Sequence, residues 1–274
     1  MIFSSIYRIG NKPGVFRAFL GEKNILNSYF RCLSFLRMNQ YAETLIQELE
    51  IRSVPQKADW WNLYMKGKIR FVGTSLPDIR KLLKEKNSSE GLDQLPMNRQ
   101  VSFVNNLMRS DLAEHKLAAI LYMQLFWLDK QKHSFLLSLI SDWFTDRYIY
   151  DWNTTDWLSV KVLSPMVDSG DEQVIWTLKK WNSDPYLWKA RASLVPFTRS
   201  KNIAVHSKSI ARFSDILIRR EERFAKTAVG WVMREYSKVD EYFVLEFLSK
   251  HVKHTTWEVK RNALKYYRQK LRQL

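Results

Sequence analysis

Cysteine is nearly absent from this chain. Cys32 is the only one in 274 residues, which excludes an internal disulfide framework and points to a reducing compartment. Glycine is scarce too: the eight residues form neither a GxGxxG nor a Walker-type loop, so nothing is built to cradle a nucleotide phosphate. A nucleophile elbow is also missing. The five histidines are scattered; His251 and His254 lie within one helical turn but lack a third ligand, and CxxC and HExxH patterns do not occur. A metal centre therefore has no support, and no cofactor is expected. No uninterrupted apolar run reaches the roughly 18–20 residues of a membrane span. The richest run, Leu117 to Leu128, is bounded by Lys116 and Asp129. Catalysis, if there is any, has to rest on carboxylates and aromatic rings.

What the chain does carry is positive charge and indole. Lys and Arg number 44 against 28 Asp and Glu, a formal charge of +16, and 11 Trp stand beside 12 Tyr and 15 Phe. A field of that size favours polyanions or an anionic surface. The aromatics add a capacity to stack on bases or cationic rings, although core filling is the ordinary fate of a tryptophan. From Arg199 onward there are 18 Lys/Arg and 8 Asp/Glu, so about +10 of the charge lies there, the mark of a basic face.

Residues 1–37 read differently. Six Lys/Arg, one acid (Glu22), serines and glycine-containing turns make an extension of uncertain role, either a presequence or an incidental leader. From Met38 the chain turns periodic, and 38–274 reads as one working domain. Helical patterns of 10 to 16 residues alternate with short polar breaks. The periodicity predicts helices at about 39–50, 56–67, 76–86, 97–109, 111–128, 132–145, 153–168, 172–182, 185–196, 202–218, 220–237, 240–250 and 256–272. Ser75 with Pro77, Ser110 with Asp111, and Asp184 with Pro185 read as helix starts, and Asn87–Gln94 as the clearest internal loop. Strand alternation with hairpin turns is missing. The fold class is all-α: a superhelix of degenerate, HEAT-like helical pairs whose concave face forms a basic groove. Duplex nucleic acid, held through its phosphates, is the partner that fits such a groove.

Four segments carry a more specific signal. They are Tyr64-Met65-Lys66 with Phe71-Val72-Gly73 and Pro77-Asp78-Ile79-Arg80; Asp151-Trp152-Asn153-Thr154-Thr155-Asp156; Leu187-Trp188-Lys189-Ala190-Arg191-Ala192; and Ala228-Val229-Gly230-Trp231-Val232-Met233-Arg234-Glu235-Tyr236. In this order and at these separations the chain resembles the HEAT-like-repeat DNA alkylation repair proteins, the AlkD-type alkylpurine DNA glycosylases, from about Met38 to the C-terminus. The resemblance implies removal of N3- or N7-alkylated purines from double-stranded DNA without base flipping. It implies that Asp156 is the catalytic carboxylate, that Trp152 and Trp231 flank the lesion's sugar, and that Tyr64 is their companion. By the same resemblance Arg191 helps hold the DNA backbone and Arg234 contacts a phosphate; Trp188 fits the motif but reads as core.

These residue types suit that chemistry. A purine alkylated at N3 or N7 is already cationic and leaves neutral, so no general acid is needed. The transition state develops positive charge on the deoxyribose, which one carboxylate and flanking indole faces stabilise. Trp152 and Asp156, four apart, share a helix face. From the residues alone, Asp156 or Thr154/Thr155 would equally well cap a helix, and Arg191 and Arg234 would equally well form salt bridges. A second register sets Trp157 on the catalytic tryptophan and Lys161 where the carboxylate belongs; it requires a gap before Arg191. In that register the chain is a non-catalytic protein binding distorted or branched DNA, and a scaffold for an acidic protein ranks behind both. The remaining expectations are a monomer with no membrane contact, in the cytoplasm at the nucleoid.

Overall fold

The computed structural model describes residues 40–267, and every regular element in it is helical. The extension expected at 1–37 and its boundary at Met38 lie outside the described residues. In chain order the helices are α1 (40–51), α2 (Pro55–Tyr64), α3 (Leu76–Glu90), α4 (Met97–Arg109) and α5 (Ala113–Tyr122). Then come α6 (His133–Thr145), α7 (Trp152–Leu158), α8 (Ser164–Asp168), α9 (Glu172–Asn182) and α10 (Leu187–Leu194). The last four are α11 (Ser207–Ile218), α12 (Arg223–Tyr236), α13 (Glu241–Lys250) and α14 (Trp257–Ala263). Two π-helical turns interrupt the pattern, Met123–Trp127 after α5 and Ser159–Leu163 between α7 and α8. A 3₁₀ turn, Val195–Arg199, extends α10. The only β-type pairing among the described residues is a single bridge between Arg70 and Leu112.

The helices stack in two rows. α3, α5, α7, α10, α12 and α14 touch in series; α4 packs on α5, α6 on α9, α9 on α10, α11 on α12, and α13 on α12. This is an all-α superhelix of repeated pairs, and the first row carries the residues of interest. Apolar spacing explains why each helix takes its place. In α12, Ala225, Ala228, Val229, Val232, Met233 and Tyr236 recur at three- and four-residue intervals and are all buried, leaving Thr227, Trp231 and Arg234 on another face. Gly230 allows the tight packing of α12 on α14: a Cβ there would stand 3.2 Å from the Val259 Cα and 3.3 Å from its carbonyl oxygen.

Several expected boundaries shift for local reasons. The loop expected at Asn87–Gln94 is mostly helix: α3 runs to Glu90 and stops at Gly91, whose φ of 62° is left-handed. Lys86 joins Glu48 and Glu90 and so fastens that last turn. Ser75 does cap α3, accepting the Asp78 N–H. Ser110 and Asp111 do not cap α5, because Leu112 holds that position and the Ser110 hydroxyl accepts the Leu112 N–H and meets His115 Nδ1. The N-cap of α10 is Tyr186, two residues beyond Asp184, which accepts its N–H. The predicted helix to residue 67 ends at Tyr64, since Lys66 and Gly67 both take positive φ. Core filling accounts fully for only three of the 11 tryptophans, Trp127, Trp143 and Trp181. Trp127 and Trp143 satisfy their indole N–H groups on Gln100 and Asn105. Trp188 is half-buried against Phe224 and the core, as expected of it.

Candidate active site

Helix α7 brings the first two site residues into place. Its N-cap is neither Asp156 nor a threonine but Asp151, which is buried and accepts the Thr154 N–H at 2.9 Å. Lys116 supports that cap from α5. Its ammonium is buried, donates to the carbonyls of Met108 (2.6 Å) and Tyr148 (2.7 Å), and is attracted to Asp151. With its start fixed, α7 presents Trp152 and, one turn later, Asp156 on the same side.

Asp156 is not a solvated helix residue. Arg191 of α10 donates Nε–H to its Oδ1 at 2.8 Å and Nη2–H to its Oδ2 at 2.9 Å, a two-point pairing. The side chains are 14% and 5% exposed. Arg191 reaches on through Nη1 to the Phe224 carbonyl (2.6 Å) and the Thr227 hydroxyl (3.2 Å). One guanidinium thus ties α7, α10 and α12 together. Burial pushes the Asp156 carboxyl above its ordinary pKa, and the Arg191 charge and hydrogen bonds oppose that rise.

On α12, Trp231 is half-buried with an indole N–H that has no partner among the described residues. Arg234 lies next on that face, paired with Glu235 (2.8 Å) and donating to Asn262 of α14 at 3.1 Å. From the other side comes α2. Tyr64 stacks on Trp60 (centroids 5.1 Å, planes 13° apart) and meets Trp152 edge-on at 5.4 Å. The loop behind α2 is anchored by buried Glu114, which accepts the N–H groups of Val72 and Gly73. Gly73 cannot be replaced lightly: its φ is +94°, and a Cβ would fall 2.2 Å from the Val54 carbonyl oxygen.

All six expected site residues, Tyr64, Trp152, Asp156, Arg191, Trp231 and Arg234, line one cleft of about 660 Å³. A second pocket of about 400 Å³ shares Asp156 and adds Trp60, Trp61, Trp157 and Arg199. A third, of about 440 Å³, extends past Arg234 to Arg261 and Lys265. Lys161 does not line the cleft; its ammonium sits 5.2 Å from the Trp157 ring centre. Asp156, and not Lys161, therefore lies beside Arg191. Sequence reasoning missed Thr227, Glu258 and Asn262 in the cleft wall, and also Trp60. Trp60 was the findable one, since it precedes Tyr64 by four residues. Among the described residues no group of three or more His, Cys, Asp or Glu could hold a metal, and no helix is long and apolar enough to cross a membrane.

The fold is an all-α superhelix of helical pairs, with the Asp156–Arg191 pair in its cleft. The chain belongs to the family described as DNA alkylation repair enzyme, whose sequence model matches residues 45–267. Its fold is similar to that of a predicted DNA alkylation repair enzyme from Enterococcus faecalis, with a TM-score of 0.67 and 18% identity over 78% of this chain and 96% of that one. No curated protein matches the sequence. The role is accordingly in DNA repair, with DNA as the substrate.

Proposed function

We propose that the protein is an alkylpurine DNA glycosylase that hydrolyses the N-glycosidic bond of cationic N3- or N7-alkylated purines in duplex DNA. The observation that carries this reading is the placement of the Asp156 carboxylate, fixed by Arg191, in a cleft it shares with Trp152, Trp231 and Tyr64. As the glycosidic bond breaks, its electron pair leaves with the base, which departs neutral. Positive charge then develops on the sugar, where Asp156 stabilises it and the indole faces add about 0.5–2 kcal/mol each. Water oriented by Asp156 adds at the anomeric carbon and gives up its proton through the carboxylate, whose burial-raised pKa suits that task.

Arg191 acts through Asp156, because four of its N–H groups are engaged within the protein. Arg234 keeps N–H groups beyond those given to Glu235 and Asn262 and serves as a phosphate contact of this cleft. Selection in this mechanism is chemical. A neutral purine needs a proton to leave, and the other acid in the cleft wall, Glu258, accepts from Nε and Nη2 of Arg223. Recognition by lability needs no enclosing pocket for the base, so the lesion stays in the duplex, along a concave basic face. The protein works as a monomer in the cytoplasm, without cofactor or metal.

The test is base release from matched duplexes carrying 7-methylguanine or hypoxanthine. Release of the first and not the second is expected. Release of both would refute the charge-selective mechanism. Salt-sensitive DNA binding with release of neither would make the protein a binding module for distorted DNA.

A further inference from the structure

Two π-helical turns, Met123–Trp127 and Ser159–Leu163, lie against each other in neighbouring helices of the row that carries the cleft. Such turns cost regular hydrogen bonding and concentrate at functional sites, yet neither is used by the chemistry at Asp156. Gln124, on the first, accepts a hydrogen bond from Arg80 Nη2 at 3.2 Å. Lys161, on the second, rests against Trp157. The 3₁₀ turn that ends in Arg199 packs on the second π turn, and Arg199 lines the aromatic pocket together with Trp157, Val160 and Asp156.

Three cations from three elements therefore gather beside the cleft, and none has a carboxylate partner among the described residues. Arg80 is bound only by a neutral amide. Lys161 is half-buried, and its pKa is held below the ordinary lysine value, first by burial and then by the charges of Arg80 and Arg199. Like charges held together weaken a fold unless a ligand neutralises them. Arginine forks and an ammonium are the donor set for a phosphate oxygen.

We infer that Arg80, Lys161 and Arg199, with Gln124 orienting Arg80, form a phosphodiester subsite that grips the DNA backbone beside the aromatic pocket that Arg199 shares with Asp156. This rests on the reading of the cleft as a DNA lesion site. It also gives Lys161 a role that does not compete with the Asp156 carboxylate.

The test is the affinity for an undamaged duplex, read by fluorescence anisotropy from roughly 50 to 200 mM salt. It compares wild type with Arg80→Gln, Lys161→Gln, Arg199→Gln and the triple variant. Lys180→Gln, on the other row over Trp176, is the control. Each site variant should weaken binding and shallow the slope of log K against log salt by about 0.9 per lost contact; the control should leave it unchanged. Each should melt at or above the wild-type temperature, because repulsion is relieved. Slopes equal to wild type in all three variants would overturn the subsite. So would a fall in melting temperature with an unchanged slope, which would mark Lys161 as structural. Base release does not enter this readout: site-dependent slopes in a chain that releases no base would keep the subsite and sink the glycosylase reading.

Discussion

Replacing Arg191 by alanine should do more damage than its distance from solvent suggests. The substitution leaves Asp156, whose side chain is 14% exposed, without its counter-ion, and leaves the Phe224 carbonyl without its 2.6 Å donor. Breaking a buried pair by removing one partner costs about 3–5 kcal/mol, a large share of a domain stability of roughly 5–15 kcal/mol. For a chain of this size that is a drop in melting temperature on the order of 10 °C. The loss should depend on pH, with a definite sign. Without Arg191 the Asp156 pKa rises further above its unfolded value. A raised folded pKa gives stability that is present below the unfolded pKa and lost as pH rises through the folded one. Arg191→Ala should therefore lie nearest to wild type near pH 4–5 and furthest from it near pH 8, in urea melts across that range. Adding Asp156→Asn removes the stranded charge and should restore about 2 kcal/mol or more as a coupling energy. A loss under about 1 kcal/mol, or strictly additive single and double variants, would refute the claim that this pair ties α7, α10 and α12 together.

Three other buried residues give further predictions. Lys116 titrates at about 8 in the fold against 10.5 when free, so the unfolded chain binds more protons between those values and stability should rise with pH there, by on the order of 3 kcal/mol. Urea melts should show Lys116→Met losing that rise. His115, which burial depresses to about 4 from 6.5, contributes stability that is present above 6.5 and lost as pH falls toward 4; His115→Asn should flatten this acid limb. Gly230→Ala should gain about 1 kcal/mol of helix propensity but lose about 1–3 kcal/mol to overpacking, because both close neighbours are Val259 backbone atoms. A lower melting temperature checks it.

The fold was legible where one face of a helix is apolar at a steady interval, as in α4, α9 and α12. It was not legible at Asn87–Glu90, where an asparagine and serines that look like a loop continue α3 and the true stop is the left-handed Gly91. The π turns were also hidden, since one wide turn barely disturbs a 3.6-residue pattern. Trp152, Asp156, Arg191 and Trp231 could be picked out because each lies in a recognisable segment. That Asp151 caps α7 while Asp156 faces Arg191 could not, because the choice depends on Lys116 and Arg191 arriving from other helices. Glu258 and Asn262 carry no local signal at all; the stacking of α14 on α12 brings them to the cleft.

The proposed hydrolysis depends on one carboxylate, that of Asp156. Its most direct measurement is single-turnover release of 7-methylguanine from duplex DNA by wild type and by Asp156→Asn, an isosteric change that keeps an acceptor for Arg191 and removes the negative charge. Release by wild type and near-loss in the variant, with duplex affinity retained, is the expected result. Equal release by the two proteins would contradict it.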